Sequence, residues 1–194
     1  MDQQELHEQV RNVKLHLRGV MNGVTSQSMR EKGLTYKVNF GVELPRLREL
    51  AEEFPHTSAL AGALWKEDIR ECRILAGILQ PAEDFSPEMA DLWVEQMRFP
   101  EEADCTVMHL FARLPYASQK VFEWIARDEE YFQLCGWQLL NRLLGKGMVP
   151  SERDLNELND QAEAALQSSN RFIQKAAYNA QGRLWECGEE KSED

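Results

Sequence analysis

Apolar positions along this chain return every three or four residues, the spacing that puts one stripe on a helix. Residues 3–18 carry Leu6, Val10, Val13 and Leu17 in that register and predict a polar helix with one buried face. The next stretch, GVMNGVTSQSM over 19–29, contains Gly19 and Gly23 and predicts a break or loop. A helix beginning near Pro45 carries Leu47, Leu50, Ala51 and Phe54, with the proline in its first turn.

From there the pattern is regular. Residues 57–65 pair with 68–79, 86–98 with 101–114, 117–127 with 130–145, and 151–167 with 170–187. Thr57, Ser86 and Ser151 are expected N-caps, and Pro87 and Pro100 fit first turns. Gly145 and Gly147 stop a helix ahead of Pro150. No stretch alternates with period two, so no sheet is expected. The pairs recur about every 30 to 37 residues, the range of α-solenoid repeats. The reading is all-α: an α-α superhelix of antiparallel helix pairs, one domain over 1–187, then an acidic disordered tail over 188–194. A compact irregular bundle is the competing architecture.

Charge changes this picture more than composition does. The chain is acidic overall, with a formal net charge of -11, which weighs against ordinary nucleic-acid binding. The charge is uneven, however. Residues 81–130 hold twelve acids against four bases, whereas residues 11–50 hold eight bases against three acids. Residues 171–183, RFIQKAAYNAQGR, hold three bases and no acid. A positive face is expected if those basic segments meet.

Other chemistry is largely excluded. Cys72, Cys105, Cys135 and Cys187 are far apart and lack metal-ligand spacing, so buried reduced thiols are expected and no metal. Neither a P-loop nor a dinucleotide fingerprint occurs, and no cofactor is expected. No apolar run is long enough for a membrane span, and the N-terminus does not read as a signal peptide, so the expected location is cytoplasmic.

Two stretches, YKVNFGVELPRLRELA and LWKEDIRECRILAGILQ, resemble segments of the AlkD-like DNA alkylation-repair proteins. The likeness continues more weakly through ADCTVMHLFARLPYA and RFIQKAAYNAQGRL. The resemblance implies a HEAT-like α-solenoid with a positive concave groove for duplex DNA. Its active members are glycosylases that remove cationic alkylated purines such as 3-methyladenine and 7-methylguanine. Aromatic side chains contact the sugar there, and a carboxylate stabilises its developing positive charge. Anchored on LFARLPYA, the carboxylate falls on Asp104, and the aromatic four residues earlier falls on Pro100. An expected groove Arg falls near Leu134, and an expected second aromatic near Asn179, beside Tyr178. With one of four groups retained, the resemblance implies weakened or absent base excision.

Asp104 is the candidate catalytic residue; an acid in a first helical turn is also favoured by the helix dipole. Arg171, Lys175 and Tyr178, spaced by four and three, share one helix face suited to phosphate and sugar. Arg30, Lys32 and Lys37 are expected to join them, and both basic segments to line one concavity with Asp104. Trp65, Trp93, Trp124 and Trp185 are expected to pack, whereas Trp137 is a candidate for facing DNA. The leading functional reading is DNA binding in a groove. The alternative is a non-catalytic acidic solenoid acting as a protein–protein interaction scaffold.

Overall fold

A computed structural model describes residues 2–192, with side chains through Cys187. It contains eleven α-helices and one short 3-10 turn among the described residues. The fold is all-α, as the periodicity predicts, and the only β feature among those residues is an isolated bridge between Val38 and Ile69. No described helix is long and apolar enough to cross a membrane. The chain forms two compact units, one ending at Ser86 and the other starting at Pro87.

The first unit opens with α1 (Gln3–Gly19), which buries Val10, Val13 and Leu17. Asp2 caps it by accepting the Glu5 N–H at 2.7 Å. The stretch expected to be a loop contains a second helix, α2 (Gly23–Glu31). It is short and polar and buries only Ser26, so apolar spacing could not reveal it. Local and distant contacts hold it. Asn22 caps its first turn at the Thr25 N–H, and the Ser26 hydroxyl donates to the Asn39 carbonyl at 2.7 Å. Gly23 opens the helix, where glycine costs less than in an interior turn.

The remaining helices of this unit are α3 (Leu44–Ala51), α4 (Ser58–Trp65) and α5 (Arg70–Leu79). Pro45 sits in the first turn of α3, and Thr57 caps α4 at the Leu60 N–H, both as expected. Helix α5 is buried along nearly its whole length, charged residues included. The Glu71 carboxylate accepts the backbone N–H groups of Phe40 and Val42 at 3.1 and 3.2 Å. Arg70 donates to Glu71 at 3.1 Å and to the Val42 carbonyl at 2.8 Å. Arg73 donates to the Trp65 carbonyl and lies 4.0 Å over the Trp65 ring. These charges are paired and hydrogen-bonded, the condition under which burial is tolerated.

The second unit comprises α6 (Pro87–Glu95), α7 (Pro100–His109), the 3-10 turn Phe111–Arg113, α8 (Ala117–Ile125), α9 (Glu130–Leu144), α10 (Glu152–Ala165) and α11 (Arg171–Ser192). Long α9 is the hub, packed against α6, α7, α8 and α11. Gly136 lets α8 press close, since a Cβ there would lie 2.9 Å from the Ile125 nitrogen. Trp124 donates to Asp91 at 2.7 Å, and Lys120 reaches both Asp91 oxygens at 2.9 Å. Ser151 caps α10, and Gly147 takes the left-handed conformation (φ 90°) after α9. Of the disordered tail expected over 188–194, the backbone of 188–192 is instead helical as the end of α11, and residues 193–194 lie outside the described residues.

Candidate nucleic-acid interface

The sequence-selected residues divide between the two units. In the first, Arg30 ends α2 and donates to the Tyr36 carbonyl at 3.4 Å, while Lys32 follows at the C-cap. Lys37 is exposed, and its backbone N–H is held by Asp68 at 3.3 Å. All three cations are exposed and lie within eight consecutive residues, with Glu31 among them.

In the second unit three helices converge on Asp104. It projects from α7 and accepts a hydrogen bond from the Gln138 side-chain amide on α9. Desolvation by the protein packed around it pushes its carboxyl pKa up. Lys175 on α11 opposes that shift, Glu101 adds to it, and Arg142 on α9 opposes it. Lys175 is exposed and Arg142 half-exposed. One carboxylate thus lies in electrostatic reach of two cations supplied by different helices.

Helix α11 supplies the rest of this face. Ile173, Ala177, Ala180 and Leu184 are buried on one side. Arg171, Lys175 and Tyr178 lie exposed on the other, and the Arg171 guanidinium lies 5.1 Å from the Phe172 ring centroid. Arg183 packs its guanidinium over Gly145, the position that follows α9. Lys146 is anchored to the Ala112 carbonyl at 2.8 Å.

Two expectations about aromatic residues are corrected. Trp137, a candidate for facing DNA, is only 1 % exposed. Its ring is taken up by the interior packing of α9, because the helix turns that face inward together with Leu134 and Leu140. It borders an open cleft of roughly 350 Å³ with Gln133, Gln161 and Gln167, but no charged group lines that cleft to hold a phosphate. Trp185, grouped with the packing residues, is instead 58 % exposed. Its signal in the sequence is position: it lies seven residues after Tyr178 on the same face.

Gln138 and Arg142 were also missed. Their i, i+4 spacing and the status of Arg142 as the sole cation of α9 are legible, but only packing brings them to Asp104. Leu134, where an Arg was expected, is buried. Cys72, Cys105 and Cys135 are buried free thiols, and burial pushes the Cys72 and Cys135 thiols up.

The family model of the DNA alkylation repair enzymes matches residues 13–180. The chain belongs to that family. A solved structure described as "a new family of proteins related to the HEAT-like repeat DNA glycosylases with affinity for branched DNA structures" superposes with a TM-score of 0.81 at 20% identity. The match covers 90% of this chain and 75% of that one, and at this identity it shows the fold: HEAT-like helical repeats. No curated protein matches the sequence significantly. Within a DNA alkylation repair framework, the face built by α7, α9 and α11 is the candidate interface.

Proposed function

We propose that this DNA alkylation repair family member binds DNA through the α7, α9 and α11 face of its second unit. Base excision is weak or absent. The observation that carries this reading is the convergence of Lys175 and Arg142 on Asp104, continued along α11 by exposed Arg171 and Tyr178. Cations of this kind hold phosphates and fix the register of a protein on DNA without reading sequence. The affinity of the structural neighbour for branched DNA supports a reading in which shape is recognised.

Weak catalysis follows from two features of Asp104. Two cations, Lys175 and Arg142, already lie in the field of its carboxylate and offset what it offers a developing sugar cation. Proline stands at position 100, where the resemblance calls for an aromatic. The acidic total of -11 favours the scaffold reading instead, so the test must discriminate. Binding of duplex and branched DNA should weaken steeply with salt, log affinity falling linearly with log salt. No binding at low salt, with a protein partner recovered instead, would favour the scaffold. Release of 7-methylguanine from methylated DNA that is lost in Asp104→Asn would establish catalysis; equal release would exclude Asp104.

A further inference from the structure

Arg171, Lys175, Tyr178, Gly182 and Trp185 follow one another by four, three, four and three residues along α11. At about 100° per residue these steps keep all five within roughly 40° of one line. Ile173, Ala177, Ala180 and Leu184, all buried, hold the opposite side, so the five face solvent. Tyr178 is 66 % exposed and Trp185 is 58 % exposed, whereas Trp65, Trp93, Trp124 and Trp137 are buried. Gly182 sits between the two rings with open space where a side chain would be. No acid occurs from Arg171 to Trp185; the first is Glu186.

The order of chemistry along this line is cation, cation, aromatic, gap, aromatic. Cations match a phosphate backbone. A flat aromatic face matches a base face. In an intact duplex every interior base face is covered by its neighbours, and a protein meets only edges and phosphates. An exposed ring at a helix surface can therefore stack only where bases are unpaired or where a duplex ends. The rings are seven residues apart, about 10 Å along the axis at 1.5 Å per residue. That is too far to sandwich one base, so each serves a different nucleotide.

We propose that Tyr178 and Trp185 form a stacking platform for unpaired nucleotides, with Arg171 and Lys175 on the phosphates of the adjoining strand. The DNA this face takes is then one in which a single strand leaves a duplex. This rests on the DNA-binding reading above and adds its substrate class and the residues that select it.

The test compares binding of three labelled DNAs, namely a duplex, a fork of the same duplex with a single-stranded arm, and the arm alone. The wild-type chain should bind the fork more tightly than the duplex. Trp185→Leu should lose about fivefold or more on the fork, since a stacked base contributes about 1–3 kcal/mol. Its duplex affinity should change less than about twofold, and Trp185→Phe should keep most of the fork preference. Trp185 is the one exposed tryptophan, so a collisional quencher reports on it. Fork DNA should shield its fluorescence and duplex should not. A leucine variant that keeps the wild-type fork-to-duplex ratio overturns the platform while leaving duplex binding intact. Absence of binding to any of the three DNAs by the wild-type chain overturns the DNA-binding reading, and the platform with it.

Discussion

The buried carboxylate of Glu71 accepts the Val42 backbone N–H at 3.2 Å. The same carboxylate holds Phe40, and Arg70 beside it holds the Val42 carbonyl. The two stretches that carry the strongest family likeness, residues 36–51 and 64–80, are therefore the two halves of one clamp. What joins the two stretches in space is a structural device. Glu71→Gln keeps the shape but puts an amide NH₂ against a backbone N–H and removes the negative charge that Arg70 meets at 3.1 Å. Breaking a buried pair of this kind costs about 3–5 kcal/mol. Chemical denaturation should show a loss of that order for Glu71→Gln.

Gly41 is the second lock on that segment. Its φ is 72°, and a Cβ there would strike the Asn22 carbonyl and come within 2.5 Å of the Ser26 nitrogen. Gly41→Ala combines left-handed strain with a backbone clash against α2. The expected loss is about 2 kcal/mol or more. A melting curve indistinguishable from wild type would contradict this packing.

Each phosphate-holding cation should appear in the salt dependence of DNA affinity. Arg171→Gln, Lys175→Gln and Arg142→Gln should each reduce the slope of log affinity against log salt by about one. A control at Arg46, which pairs with Glu49 on α3, should leave the slope unchanged. Equal effects at both places would mean that the α9–α11 face is not singled out.

Asp104 links binding to pH. Its folded pKa is raised, so its contribution to stability is full below the ordinary carboxylate pKa and fades as pH rises through the folded value. Asp104 is exposed, so solvent screens most of this effect and the burden at neutral pH is small. Asp104→Asn should be at least as stable as wild type at pH 7 and should lose that advantage near pH 3. Removing an anion within reach of Lys175 and Arg142 should also tighten DNA binding and flatten its pH dependence. Unfolding and binding titrations of the two proteins across pH 3 to 7 provide the check.

Trp137→Phe separates packing from recognition. Because the indole is buried in the interior around α9, the variant should lose stability by about 1–3 kcal/mol while DNA affinity stays within about twofold. A stable variant that no longer binds DNA would restore Trp137 to the interface.

Strongly periodic segments were legible from the chain alone. Helices α1 and α3 to α11 follow from apolar spacing, from Thr57 and Ser151 as caps, and from prolines in first turns, because these are local effects of helix geometry. Helix α2 was not legible, since its support comes partly from Asn39 and Phe40, beyond its own residues. The face of Arg171, Lys175 and Tyr178 could be read because one helix sets it by periodicity.

What Asp104 meets was a different kind of question. Gln138, Arg142 and Lys175 lie 34 to 71 positions away in the chain and reach it only through the packing of α7, α9 and α11. The same packing turns Trp137 inward and leaves Trp185 in water. Sequence by itself determined which residues share a helix face, because 3.6 residues per turn is a property of the backbone. Only the tertiary structure decided which faces are buried and which charges become neighbours, because that depends on how separate helices fill one core.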